Sequence, residues 1–387
     1  MTALFTSNGK TNELERRLSA AAAFLRRSVE INNGAGSSAY FSRVYQPKRG
    51  WSAAYPETTG YLIPTLYRLG DRLADPTLVE LGHTQADWVL GLQGADGSLP
   101  GGLHTPGKTH EPSVFNTGQM ILGLVAAADR TGDERFLQSA ERAALWLSSE
   151  LNPATGRWDR HAYVDGHSPA YYTRVAWPML EVSSRTQNDR IRSASVSALD
   201  AILNDQVESG SIPSWSFQPG KKAFTHTIAY TIRGLIESSR LIGEAADSPY
   251  LNAAFAASEP LMRKAELKGK VAGAFDRDWN GDDWYVCLTG NCQLATAWMK
   301  LSDDTGDIRF LSTALKVLET PIRSQAMSRA SGQAHGSIAG SSPFFGRYLI
   351  VRRPNWATKF YADALLDAEA QLHDASQALA TTGKATQ

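Results

Sequence analysis

Two kinds of helical stretch alternate along the chain. In ERFLQSAERAALWLSSE, from Glu134 to Glu150, apolar side chains such as Ala140, Ala143 and Leu147 recur three and four residues apart while charged residues fill the other face. In ILGLVAAA, which follows Met120, every position is apolar or small. A helix with one charged face lays its other face on a core, whereas a helix apolar all round lies inside one. The alternation therefore predicts outer and inner helices.

The inner helices align as six octets: TGYLIPTL from Thr59, TGQMILGL from Thr117, TRVAWPML from Thr173, IAYTIRGL from Ile228, TGNCQLAT from Thr289 and TKFYADAL from Thr358. Their starts are separated by 58, 56, 55, 61 and 69 residues. Each octet follows an amphipathic stretch and a long polar loop and ends in a short turn. Two of these turns are nearly identical, DRTGDERFL from Asp129 and DDTGDIRFL from Asp303. Such self-similarity marks a repeated supersecondary unit, here outer helix, long loop, inner helix, short turn.

Six such hairpins with parallel inner helices close into a ring. The predicted fold is all-α, an (α/α)6 toroid forming one domain over residues 1–387, with flexible ends at about 1–12 and 375–387. An open superhelix of the same hairpins is the architectural alternative. Pro64 and Pro178 share an octet position, and proline is tolerated chiefly in a first turn or at a kink. The first and third inner helices are therefore expected to begin later than their octets.

The loops change the picture from architecture to function. Connections in compact domains usually run to about 4 to 6 residues, and structureless ones beyond about 12 to 15 are commonly functional. Here the outer-to-inner loops span 31–56, 94–114, 151–172, 207–224, 268–287 and 326–355. Because each precedes an inner helix, all six gather at one mouth of the ring, and the TGD turns occupy the other face. These loops hold 19 aromatic residues, about 14% of their length against 9% for the chain, which asks for a ligand. Trp158, Tyr163, Tyr171, Tyr172, Trp215, Trp279, Trp284, Tyr285 and Tyr348 pair flat apolar faces with polar edges, the combination that stacks on a pyranose and bonds its hydroxyls. Six of the eight histidines, including His104, His110, His161 and His226, lie in these loops or just after them.

Charge removes other classes. Lys plus Arg equals Asp plus Glu at 39 each, without the overall positive excess of a nucleic-acid or anionic-membrane binder. Met1 to Arg17 has no apolar core ahead of its charges, and no run of eighteen apolar residues occurs, so neither an export signal nor a membrane span is expected; the cytoplasm is the default compartment, with the periplasm or the extracellular space as alternatives. Cys287 and Cys292, five apart, read as free thiols. No metal or cofactor is expected: a zinc set of Cys287, Cys292 and His335 matches no standard spacing, and the DDxxD-like Asp303–Asp307 lies in a turn on the plain face.

Glycoside hydrolysis needs one protonated and one ionised carboxyl group. Glu57, at the mouth end of the first inner helix, and Asp283 or its neighbour Asp282, before the fifth, form the expected pair, and Glu111 is a third carboxylate on the same face. Glu57 would also serve as an ordinary first-turn carboxylate favoured by the helix dipole. The rival chemistry, a uronate lyase or C5-epimerase, needs a base such as Tyr172, His226 or Tyr230 and a cation such as Arg174, Arg347 or Lys359 to neutralise the carboxylate. Tyr55, His110, Asn116, Tyr171, Trp284, Tyr285, Asn291 and Trp356 complete the expected sugar contacts around the mouth. Six helix N-termini converging there favour an acidic ligand. A glycan-binding protein without catalysis is the third reading.

At YPETTGYLIPTL (Tyr55 to Leu66), CLTGNCQLATAW (Cys287 to Trp298) and PNWATKFYADALL (Pro354 to Leu366), the chain resembles the six-hairpin proteins of bacterial exopolysaccharide operons, the polysaccharide biosynthesis proteins of the VpsJ type. The likeness runs from about residue 20 to 370. It implies a toroid related to glycoside hydrolases, polysaccharide lyases and uronyl epimerases. It also implies a polysaccharide or its oligosaccharide precursor as ligand, with polysaccharide assembly proteins as partners.

Overall fold

The computed structural model describes residues 4, 11–108, 111–243 and 248–382. Twelve α-helices among them form six hairpins. The outer helices are α1 (Thr11–Glu30), α3 (Pro76–Leu90), α5 (Glu134–Glu150), α7 (Asp189–Leu203), α9 (Pro249–Lys268) and α11 (Ile308–Ser324). The inner helices are α2 (Pro56–Leu73), α4 (Val114–Thr131), α6 (Thr173–Thr186), α8 (Thr225–Ile242), α10 (Leu288–Thr305) and α12 (Asn355–Thr382). Successive inner helices pack on one another, and α12 packs back on α2, so the ring closes. This is the (α/α)6 toroid, and the open superhelix is excluded. Of the ends expected to be flexible, residues 1–3, 5–10 and 383–387 lie outside the described residues, and α12 continues to Thr382.

Small residues set the spacing of the inner ring. A Cβ on Gly60 would come 2.5 Å from the Cα of Met120 on the neighbouring α4, and one on Gly290 would come 2.7 Å from the backbone nitrogen of His226 on α8. The Thr-Gly pairs that begin three octets thus let backbones approach without a side chain between them. The threonines do a second job. Thr59, Thr117 and Thr358 accept hydrogen bonds from the backbone N–H groups of Ser37, Leu99 and Ile338, at 2.9, 3.1 and 3.2 Å. Each therefore pins a preceding mouth loop to its inner helix.

The prolines do not delay the helices. Pro64 lies well inside α2, which starts at Pro56, and Pro178 lies inside α6, which follows a single 3-10 turn at Ala170–Tyr172. Proline cannot donate to the carbonyl four residues back, so Pro178 frees that of Arg174. The Gln119 side-chain amide donates to this carbonyl at 2.6 Å. The missing bond is replaced from the preceding inner helix, α4, and that replacement keeps Pro178 within a continuous helix.

At the plain face, the twin turns end in Gly132 and Gly306 with φ of +70° and +73°, and Asp133 and Asp307 then cap the following outer helices. The acidic residues before them are occupied: Arg185 pairs with Asp129 at 2.7 Å and Arg240 with Asp304 at 2.8 Å.

The six mouth loops form a hydrogen-bonded collar. Three two-residue antiparallel ladders join β1 (Tyr40–Phe41) to β6 (Arg353–Pro354), β2 (Ala223–Phe224) to β3 (Ala274–Phe275), and β4 (Val286–Cys287) to β5 (Ser341–Ser342). Single backbone bonds complete the circuit: His104 N–H to Ala54, Val114 N–H to His161 and Ala170 N–H to Ser214, at 2.8, 3.0 and 3.1 Å. Every loop is tied to both neighbours, which holds long segments of irregular backbone in place. Among the described residues no helix is long and apolar enough to cross a membrane.

Candidate functional site

The collar surrounds a cavity of about 860 Å³. Its lining comes from segments as far apart in sequence as Tyr55 and Trp356, and it includes Glu57, Glu111, Asn116, Tyr171, His226, Tyr230, Asp282, Tyr285 and Arg347. The structure therefore gathers most of the candidate site residues of the sequence around one cup. Both its size and its mixture of aromatic walls with a few polar groups suit a small organic ligand.

Glu57 sits low in the wall with only 8% of its surface exposed. Pro56 starts α2 one residue earlier, which places the Glu57 carboxyl in the first helical turn. The helix dipole there favours the ionised form, yet burial wins and pushes the carboxyl from 4.5 to about 7. The Tyr55 hydroxyl, donating to Glu57, and the positive charge of Arg174 oppose that rise only in part. The Tyr55 hydroxyl is itself pushed well up, by burial first and then by the Glu57 charge, and it also lies within reach of the Asn116 amide. Tyr55, Glu57 and Asn116 form one short polar chain in an aromatic wall.

His226 faces the same cup from α8. Its Nδ1 donates to the Gln293 side-chain oxygen at 2.7 Å, which leaves Nε2 as an acceptor. Burial lowers its pKa from 6.5 to about 3, so the imidazole is neutral at physiological pH. Its ring packs 4.3 Å from Tyr230 and 5.2 Å from Tyr348, centroid to centroid. Burial also raises the Tyr230 hydroxyl, which keeps it protonated.

Also in the cavity lining, Asp282 accepts from Lys222 at 2.8 Å and from Arg347 at 3.1 Å. Asp283, its chain neighbour, points the other way. It pairs with Lys268 on the outer rim, with 46% of its side chain exposed, and does not line the cup. The backbone turns at Asp283, so only Asp282, whose N–H bonds to Ala274 of β3 at 2.9 Å, faces the cavity.

Other expected contacts also lie elsewhere. Tyr172 is fully buried behind Phe115 and Trp158, and Asn291 is buried within α10 away from the cup. Trp284 lies exposed on the outer rim. Arg174 and Lys359 are beneath the floor, lining a second cavity of about 280 Å³ that opens along the ring axis. There Arg174 donates to Gln119 at 2.8 Å and stacks over Tyr230 at 4.7 Å, while Lys359, lowered to about 8 by burial, pairs with Asp363 at 2.6 Å. The hydrogen bond to Gln119 and the ion pair with Asp363 hold these two cations below the mouth, although Arg174 lies in the first turn of α6 as Glu57 does in α2. His110 lies outside the described residues.

Sequence reasoning missed Lys222, Phe217, Phe115 and Gln293, all of which line or brace the cup. For Gln293 a signal existed: like Gln119, it is an amide side chain inside an inner-helix octet, and a buried amide needs a specific partner. Cys287 and Cys292 are free and buried; the Cys287 thiol, raised to about 12 by burial, caps α10 by accepting from the Gly290 N–H.

The chain matches no protein-family profile. Over 89 residues, 23% of this chain, it is 32% identical to the archaeal glycosylation protein Q of Haloferax volcanii, and that stretch covers 24% of the archaeal protein. The fold is similar to several solved structures. An unsaturated glucuronyl hydrolase specific for heparin superposes with a TM-score of 0.73 and 16% identity over 94% of this chain and 98% of its own. A sugar epimerase from a ruminal bacterium gives 0.76 and 13% identity over 93% and 98%. The cellobiose 2-epimerase of Spirochaeta thermophila gives 0.69 and 14% identity over 95% and 100%. At identities this low, the likeness shows a shared (α/α)6 fold alone.

Proposed function

We propose that this protein is a carbohydrate-active enzyme whose mouth cavity takes a saccharide and hydrolyses a glycosidic bond, with Glu57 as general acid. One observation carries the reading: a carboxyl group held near pH 7 by an aromatic wall, opening into a cup large enough for a sugar. A general acid works best when its pKa lies near the operating pH, and an ordinary exposed glutamate would have lost its proton. Asp282, held between Lys222 and Arg347, is the partner carboxylate in this reading, with Glu111 as the other carboxylate of the cup. Glu57 protonates the departing oxygen, and the ionised carboxylate activates water or attacks the anomeric carbon.

Fold relatives whose names record sugar hydrolysis and epimerisation support a carbohydrate ligand. The likeness to VpsJ-type proteins, together with the partial match to an archaeal glycosylation protein, supports a bacterial exopolysaccharide or its oligosaccharide precursor, handled beside assembly proteins. Incubation with that class of polymer tests the reading. New reducing ends that vanish in Glu57→Gln support it, and a product absorbing in the near ultraviolet replaces it with elimination.

A second reading rests on His226. A neutral imidazole with Nε2 free to accept, beside a protonated Tyr230, is equipped to remove a proton next to a sugar carbonyl or carboxylate, as a lyase or epimerase requires. Solvent deuterium appearing in recovered sugar, and lost in His226→Gln, would select it over hydrolysis. A protein that binds saccharide and leaves it unchanged would be a glycan-binding component instead.

A further inference from the structure

Large aromatic side chains are seldom left in water, and this chain leaves two together at the rim of the cup. Trp284 is 49% exposed and Phe345 is 64% exposed, and their rings lie 6.5 Å apart at an interplanar angle of only 19°. Trp284 comes from the fifth mouth loop and Phe345 from the sixth, loops joined by the β4–β5 ladder. Neither ring is needed to fill the core, since Tyr285 and Tyr348 already close the wall beneath them.

The pair is continuous with the cavity. Tyr285, which lines the cup, packs 4.8 Å from Trp284. Arg347 spans the two zones: its guanidinium lies 5.9 Å from the Trp284 ring centre and donates to Asp282 in the cup wall at 3.1 Å. A path of aromatic surface, with one arginine along it, therefore leads from the cup to the outside.

We infer that Trp284 and Phe345 form an outer subsite for the same saccharide chain that enters the cup, so that the ligand is a polymer or long oligosaccharide and not a disaccharide. The inference rests on the carbohydrate reading of the cup. Near-parallel exposed rings stack on the C–H faces of successive sugars, while the charged and polar groups of the cup take one terminal segment. A saccharide is the occupant that fits both zones, because a purely apolar partner would find the Arg347 and Asp282 pair in its way.

The test uses the full chain with oligosaccharide ladders of alginate, hyaluronan and cellulose, from disaccharide to octasaccharide, titrated by tryptophan fluorescence. For any ladder that binds, affinity should rise with length until the chain reaches the rim. Trp284→Ala and Phe345→Ala should each weaken the long members about three- to tenfold while leaving the disaccharide unchanged. Both side chains are exposed, so circular dichroism melts should match the parent. Equal weakening of short and long members, or none in either, overturns the subsite and leaves the reading of the cup intact. Binding of no ladder at any length overturns both. Length-dependent binding without turnover keeps the subsite and removes the hydrolase.

Discussion

At the scale of single residues, the cup is organised by which effect dominates each titratable group. For Glu57, burial outweighs the helix dipole, the Tyr55 hydroxyl and Arg174, and raises the pKa from 4.5 to about 7. Between those values the unfolded chain has released the proton and the folded one has not. Stability from this group is therefore full below about 4.5 and falls as pH rises to about 7, by on the order of 3 kcal/mol. Glu57→Gln should remove that decline, so the variant gains on the parent as denaturation is measured at rising pH. In the same variant kcat should drop at least about 10²-fold, and the parent's activity should fail on an alkaline limb near pH 7. Full activity in Glu57→Gln removes the acid from the mechanism. His226 works in the opposite sense: its pKa is depressed from 6.5 to about 3, so its contribution is present above 6.5 and lost as pH falls toward 3. His226→Gln should lose less stability than the parent between about pH 7 and pH 4 in urea titrations.

How much of this is legible in the sequence depends on the residue. Glu57 can be read because it sits at a fixed place in a repeat, in the first turn of an inner helix, and the repeat says where that place is. Asp282 and Asp283 cannot be told apart, because the local backbone direction that turns one inward belongs to the β3 region and its pairing with β2. Arg174 and Lys359 read as mouth residues because their octets begin there; their side chains instead point along the ring axis below the floor.

At the scale of elements, the octets carry two kinds of information. Their periodicity predicts the helices, and the twin TGD turns mark the plain face. The reason for Thr-Gly is not visible in the octets themselves, because it concerns neighbours far away along the chain. Thr117 receives the backbone N–H of Leu99, and Gly290 lets α10 touch the backbone of α8. Thr117→Val keeps the shape and removes the acceptor, leaving a buried N–H without a partner at a cost of about 1–3 kcal/mol. Gly290→Ala forces a Cβ to 2.7 Å from a backbone nitrogen that cannot swing aside, at a cost of about 1–3 kcal/mol. Chemical denaturation of both variants checks these values. Unchanged stability in Gly290→Ala would mean that the inner helices are not held at this spacing.

At the scale of the whole molecule, the ring is closed by its two sequence extremes. α12 packs on α2 and on α1, β1 pairs with β6, and the Asn355 side-chain amide donates to Ser37 at 2.7 Å and to Thr58 at 3.2 Å. A linear array of hairpins can fray from either end, because each unit depends only on its neighbours. A closed ring has no terminal unit, and losing any hairpin exposes the inner faces of two others. The chain should therefore melt in one calorimetric transition with agreeing calorimetric and van't Hoff enthalpies, as a single cooperative domain does. Asn355→Ala removes the side-chain bolt across the closure and should cost about 1–3 kcal/mol. Because the bolt joins the ring to itself, the whole transition should move to lower temperature without splitting. Two separated transitions in the variant, one unchanged from the parent, would mean that the hairpins near the closure unfold on their own and that the cup depends on them only locally.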